Sequence, residues 1–415
     1  LGLIPGLPIW PFLIVGSSMT GIGLAVRYLG QQRDEEEEAD RIEQEKPEER
    51  PEDYLRVDLL ECEIGYQLVP LVDAKQGGDL IERIVQIRKV AAMEMGFIVP
   101  PVRVRDNVQL KPNEYQIKIK GDPVARGELQ AKALLAIDPG IAEGTIEGTE
   151  TIDPAFGLPA RWISSDQREK AELLGYNVVE PVAVLATHIT EVINANAAEL
   201  LGRQETQHLV DEFRNSHPAI IDELIPDVVP VGRLQRVLQN LLCERVPVRD
   251  FRTILETLAD YSEIKDVEVL TEYSRTALRR SICNVLLKEA PEDGIAVLTI
   301  SGDVEEIIRE SVQATPAGLT VAIAPEVATR VFRNMTSLID RMIAHGQQPV
   351  VLSAPHIRLA FRKLTAASFP TLYVVSYNEI APEVEVSAVG VIRLVDDENP
   401  EIRSAERAAS AAPSA

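Results

Sequence analysis

Asp153-Pro154-Ala155-Phe156-Gly157-Leu158-Pro159 is a stretch that regular secondary structure cannot hold. Proline fixes φ and removes an N–H donor, while glycine admits positive φ, so the segment is neither a helix interior nor a central strand. It reads as a rigid turn carrying a carboxylate and an aromatic ring three residues apart. Outward from it, the apolar run 133–137 and Arg161-Trp162-Ile163 predict strands on either side, followed by a helix over 165–174 and a strand over 177–179. Ser165 suits the start of that helix and Gly175 its end. Residues 132–180 therefore read as a small inserted α+β domain. An aromatic side chain on a rigid loop suits a partner's anchor, because loops held by a scaffold carry recognition. The competing reading is a phenylalanine that plugs its loop over a core.

Length and charge bound what the rest can be. A chain of 415 residues has room for about three domains. Against 42 Lys and Arg stand 65 Asp and Glu, a net charge of −23, which is the wrong sign for a nucleic-acid binder. Aromatics are only 5%, so the cores must be built of Leu, Ile, Val and Ala. Cys62, Cys243 and Cys283 are far apart and odd in number, which suggests neither a disulfide framework nor a zinc knuckle. The five histidines are scattered without ligand spacing, and no phosphate loop, dinucleotide fingerprint or serine-hydrolase elbow occurs, so no cofactor is expected. Asp138 and Asp153 both precede proline on loops of the inserted domain. Paired, they would make the one catalytic candidate, a membrane-tethered hydrolase, although Asp-Pro is also a common turn opening.

In chain order, residues 1–30 carry a single charge, Arg27, and the roughly twenty mostly apolar or small residues from about Trp10 to Leu29 suit a membrane-spanning helix. The start inside an apolar run suggests the last helix of a longer membrane domain. Residues 31–54 read as a solvated acidic linker, since 33–51 holds ten acidic and four basic residues. From there four compact soluble subdomains are expected. Residues 55–131 with 181–203 read as a first α/β subdomain, in which Asp79 caps a helix whose Leu80, Ile81, Ile84, Ile87, Ala91 and Met95 share a face. Gly65 between apolar residues predicts a close backbone approach. The inserted α+β subdomain follows, at 132–180, and then a helical one at 204–287 with stripes Leu234, Val237, Leu238, Leu241, Leu242 and Phe251, Ile254, Leu255, Leu258. Residues 288–395 alternate strand and helix, as in a parallel βαβ subdomain with a strand at 320–323, and 396–415 read as a disordered tail.

Asp153 to Leu158, Ala186-Thr187-His188, Leu201-Gly202-Arg203-Gln204-Glu205, Val237-Leu238-Gln239-Asn240-Leu241-Leu242 and Arg249-Asp250 resemble the cytoplasmic region of the large membrane subunit of the flagellar type III export gate. The likeness keeps register from about Leu1 to about Leu394. Virulence-secretion relatives typically lack the Gly-Arg-Gln-Glu wording, so the flagellar branch is the one implied, with the virulence-type gate as the alternative. The resemblance implies an inner-membrane protein whose cytoplasmic ring, a nonamer, works with the ATPase complex and a partner export-gate subunit. It implies no enzyme activity. In that family the Asp and Phe of this turn, with the Thr of the Ala-Thr-His segment, form a docking depression for export chaperones carrying late substrates. Carried over, these are Asp153, Phe156 and Thr187, with Val179 and Val184 as candidate apolar lining.

Overall fold

Alternation sets the first sheet. In β1 (Leu60–Ile64) the apolar Leu60, Cys62 and Ile64 point inward while Glu61 and Glu63 face outward. β1 pairs in parallel with β2 (Val102–Asp106) and antiparallel with β3 (Glu114–Ile119), giving the order β2-β1-β3-β4. The computed structural model describes residues 57–394 apart from 289, 291–293 and 316–317. The expected membrane helix, the linker and the tail lie outside the described residues. The described residues from Asp58 onward form one compact unit.

α1 (Leu80–Met95) packs under the first sheet through Leu80, Ile84 and Ala91. Ile81, expected on that face, is exposed, because one residue further along a helix is a turn of about 100°. Asp79 stands at the helix start as expected, but its carboxylate takes the Arg83 Nε at 2.7 Å instead of capping the backbone. At Gly65 a Cβ would meet the Lys111 carbonyl at 2.1 Å, so the close approach read from the sequence is real. β3 ends at Ile119 and turns back as a hairpin. Lys120 and Gly121 both take positive φ, and the chain returns as β4 (Asp122–Glu128), an edge strand that tolerates Pro123.

The second sheet is wholly antiparallel, in the order β6-β7-β5-β8, from β5 (Leu134–Ile137), β6 (Thr149–Ile152), β7 (Pro159–Ile163) and β8 (Asn177–Val179). β6, Thr-Glu-Thr-Ile, carries no apolar alternation because it is an exposed edge. The helix here is short, α2 (Arg168–Leu173), and Ser164 opens the turn before it, not Ser165: its N–H donates to Gln167 Oε1 at 3.2 Å. Gly175 closes α2 with φ +87°. Helices follow as α3 (Pro181–Ala195), α4 (Ala197–Leu200), α5 (Arg203–Ser216), α6 (Pro218–Leu224), α7 (Val231–Cys243), α8 (Phe251–Asp260), α9 (Val267–Ala277) and α10 (Arg279–Lys288). Both apolar stripes read from this region are buried.

The last sheet is parallel throughout, in the order β13-β12-β9-β14, from β9 (Ile295–Ile300), β12 (Val350–Ser353), β13 (Tyr373–Ser376) and β14 (Val386–Ile392). Helices α11 (Gly302–Ser311), α12 (Pro325–Ala344) and α13 (Pro355–Thr365) make the crossovers. The strand expected at 320–323 is not in this sheet. β10 (Val312–Thr315) and β11 (Gly318–Val321) form a separate hairpin, and the sheet is completed by β14, whose small residues and bulge at Ala388/Gly390 hid it.

The buried apolar residues fall into three clusters, not one per sheet and bundle. The largest runs from the first sheet through the helices to Val350 and Val375, a second fills the C-terminal sheet, and a small one lies under the second sheet. A buried ionic cluster crosses from the helices to that last sheet. Arg275 on α9 donates to both oxygens of Glu379 at 2.8 Å and to Glu244 at 3.1 Å. Arg358 on α13 donates to Glu244 and, through Nε at 2.6 Å, to Glu272. Burial alone would push the Glu244 carboxyl up, but Arg275 and Arg358 together hold it below the usual carboxylate range. Replacing one member leaves charges buried without a partner, so Arg358→Met is expected to cost about 3–5 kcal/mol in denaturant unfolding. A loss below about 1 kcal/mol would show that the cluster does not join these elements.

Candidate functional site

The turn between β6 and β7 is closed by three hydrogen bonds that all involve Asp153. Its N–H donates to the Leu158 carbonyl at 2.8 Å, its carbonyl accepts from the Gly157 N–H at 2.9 Å, and its Oδ2 accepts from the Phe156 N–H at 2.8 Å. Gly157 takes φ +71°, which reverses the chain in so short a span. Pro159 then opens β7, the strand position where a missing N–H costs least. The carboxylate is drawn inward and the ring is thrown outward: Asp153 is 3% exposed and Phe156 60%. Phe156 is therefore no plug over a core. Ile152 and Leu158 flank it and are also exposed. Nothing in their sequence context flagged them, since Ile152 ends an edge strand without periodicity.

The other expected residues divide. Thr187 lies half-buried on α3, and Val179 is half-buried on β8. Val184, expected to line a depression, is 2% exposed and belongs to the main core with Leu135, Ala160 and Trp162, so it can support a surface but not form one. Asp153 was expected to meet a partner directly. Its burial instead makes it a residue that shapes the turn from behind.

Behind the turn stands a pair that the sequence reading left without a role. His188, next to Thr187 on α3, shares a 2.6 Å hydrogen bond with the Tyr115 hydroxyl of β3, with the rings edge to face at 5.7 Å. Burial pushes the Tyr115 phenol up, and the charge of Asp153 adds to that. Burial lowers the His188 imidazole, with Asp153 opposing. The useful signal was polar residues at inward positions of an apolar strand and helix.

Asp138 and Asp153 do not form an acid–base pair. Asp138 donates its N–H to the Pro159 carbonyl at 2.9 Å and Asp153 to the Leu158 carbonyl at 2.8 Å, so they lie on opposite sides of β7. Two strand spacings put their backbones roughly 10 Å apart. The Asp138 carboxylate is also employed locally, accepting from the Gly140 N–H at 2.7 Å. Carboxyls that share a proton stand about 3 Å apart. Among the described residues no His, Cys, Asp and Glu cluster suits a metal, and no helix is long and apolar enough to cross a membrane.

In fold this mixed α/β protein is similar to several solved chains. The Chlamydia pneumoniae CdsV chain, in the structure titled as the CdsV and CdsO protein complex, matches with a TM-score of 0.73 at 27% identity over 83% of this chain and 100% of that one. The nonameric EPEC SctV-C structure shares the fold at TM-score 0.65 and 24% identity, covering 81% of this chain and 98% of its own. Residues 1–385 match the FHIPEP family, and the chain belongs to it. It is 41% identical over 394 residues to the flagellar biosynthesis protein FlhA of Bacillus subtilis (strain 168), covering 92% of this chain and 58% of that protein. For the Escherichia coli (strain K12) protein of the same name the identity is 37% over 395 residues, covering 94% and 56%. The chain thus spans a little over half the length of these relatives.

The depressed His188 value has a sign that stability reports. The unfolded chain takes up the imidazole proton first, so this residue's contribution to folding is present above the ordinary imidazole value and is lost as pH falls through it to the lower folded value. The difference in unfolding free energy between wild type and His188→Asn is expected to shrink between about pH 7 and pH 5. A constant difference would mean that the imidazole keeps its ordinary value in the fold.

Proposed function

We propose that this chain is the cytoplasmic portion, with the last membrane helix, of the flagellar type III export gate's large subunit, and that the turn bearing Phe156 docks chaperone and late-substrate complexes. One observation carries the reading: a large aromatic ring stands 60% exposed on a turn whose every neighbouring hydrogen bond holds it there. A free aromatic that rigid loses little conformational entropy when a partner covers it. Ile152 and Leu158 widen the apolar contact, Thr187 borders it, Val179 and Val184 underlie it, and Asp153 fixes the turn. The flagellar branch is favoured by identities of 41% and 37% to relatives named flagellar biosynthesis protein FlhA.

The wider assignment rests on family membership. Four subdomains, at 55–131 with 181–203, 132–180, 204–287 and 288–395, would stand beneath an inner-membrane domain on an acidic linker. The nonameric state of EPEC SctV-C supports a homo-oligomeric ring here, and the CdsV complex with CdsO supports contact with a further protein; the ATPase complex and the partner gate subunit are the contacts the family resemblance implies. The protein acts by docking and passing on cargo and not by chemistry on a small molecule.

Phe156→Ala removes most of a buried ring from the complex, about 2 kcal/mol, and is expected to weaken binding of a purified flagellar chaperone loaded with its substrate about thirtyfold. Because the ring is mostly exposed in the free protein, the melting temperature should stay within about 2 °C of wild type. Undiminished binding would remove this turn as the docking site. A large fall in melting temperature would return the ring to a structural role.

A further inference from the structure

Behind the second sheet's turn, Tyr115 and His188 share a hydrogen bond, and the charge of Asp153 acts on both. Tyr115 of β3 is fully buried, His188 of α3 is 7% exposed and Asp153 of the turn is 3% exposed. Polar groups buried to this degree are costly unless each is satisfied, and apolar side chains of the same shape would fill the space at less cost. The phenol is also pinned from above. A Cβ on Gly127 of β4 would lie 2.5 Å from the Tyr115 hydroxyl, so the β4 backbone rests directly on it and the ring has no room to swing. We infer that Tyr115 and His188 are positioning residues for docking: their hydrogen bond across β3 and α3 fixes the surface on which Asp153 is seated, and through it the outward direction of Phe156. The inference rests on the docking reading of the turn.

The arrangement is a chain of dependence. Burial keeps the proton on the Tyr115 phenol, and in the tautomer with the imidazole proton on Nε2 the hydroxyl donates to His188 Nδ1 across the 2.6 Å contact. Asp153 supplies the charge that acts on both rings, and its Oδ2 holds the Phe156 N–H. The remaining titratable group that acts on Tyr115 is the Cys62 thiol of β1, which burial pushes up to about 12 and so keeps neutral. A proton added to His188 turns Nδ1 from acceptor to donor and places a cation near Asp153, where it competes with the Phe156 N–H for the carboxylate. Docking is therefore pH-sensitive through a residue that the partner does not touch.

The test measures binding of a purified flagellar chaperone and substrate complex to the full chain in detergent. Tyr115→Phe and His188→Leu are expected to weaken binding about fivefold to tenfold at pH 8, and wild type to weaken by a similar factor between pH 8 and about pH 5.5. His188→Asn, which keeps an acceptor for Tyr115, should bind like wild type at pH 8 and lose the pH dependence. If Phe156→Ala weakens binding while Tyr115→Phe and His188→Leu stay within about twofold of wild type, the positioning role is overturned and the docking site stands. If Phe156→Ala also binds like wild type, the docking reading fails and this inference with it. Imidazole NMR of the free protein gives a second readout that needs no partner and no loss of fold. Asp153→Asn should move the His188 titration midpoint downward, and an unmoved midpoint would overturn the proposed contact.

Discussion

The hydrogen bond from the Phe156 N–H to the buried Asp153 carboxylate decides what this molecule shows to a partner. A charge-assisted bond of this kind is about twice as strong as a neutral one, and here its acceptor belongs to a buried side chain. With the carboxylate turned in, the chain has one way to place the next side chain, and that way is out. The strands on either side have the same effect. β6 and β7 leave and re-enter the sheet one residue from each end of the turn, so the ring's position is fixed by the sheet register and not by a free loop.

The frame beneath is asymmetric in how it is held. The first sheet and the helices share one apolar cluster, and the last sheet is joined to the helices through Arg275, Arg358, Glu244, Glu272 and Glu379 as well as through core contacts. The second sheet, which carries the turn, sits on a small cluster of its own, Leu134, Ala136, Ile146, Ile163, Ala171 and Tyr176, while Leu135, Ala160 and Trp162 on the opposite face belong to the main core. A thin element braced on one face by a large core combines a rigid surface with limited internal packing. This suits recognition better than it suits catalysis, which would call for converging acid and base groups that the turn and the Asp138 loop keep on opposite sides of β7.

Much of this was legible in the residues because punctuation and periodicity are local. Pro154, Gly157 and Pro159 announce the turn, the stripe of α7 announces its buried face, and Gly65 announces a close approach. Three edge strands, β4, β6 and β14, were not legible, because they owe their existence to a neighbouring strand and not to their own alternation. The orientation of Asp153 was hidden for a related reason. An Asp before Pro can point either way, and only the Phe156 N–H three residues on settles it. Nor could the pairing of Tyr115 with His188, or of Arg358 with Glu244, be read, since each joins residues far apart in the chain by a contact that leaves no spacing signal.

The most direct measurement is hydrogen–deuterium exchange on the full chain with and without a loaded flagellar chaperone, followed in the peptide spanning residues 149–163. Docking on this turn should slow exchange there, together with the Thr187 end of α3, and leave the C-terminal sheet unchanged. Protection confined to other segments, with residues 149–163 exchanging as in the free protein, would contradict the account.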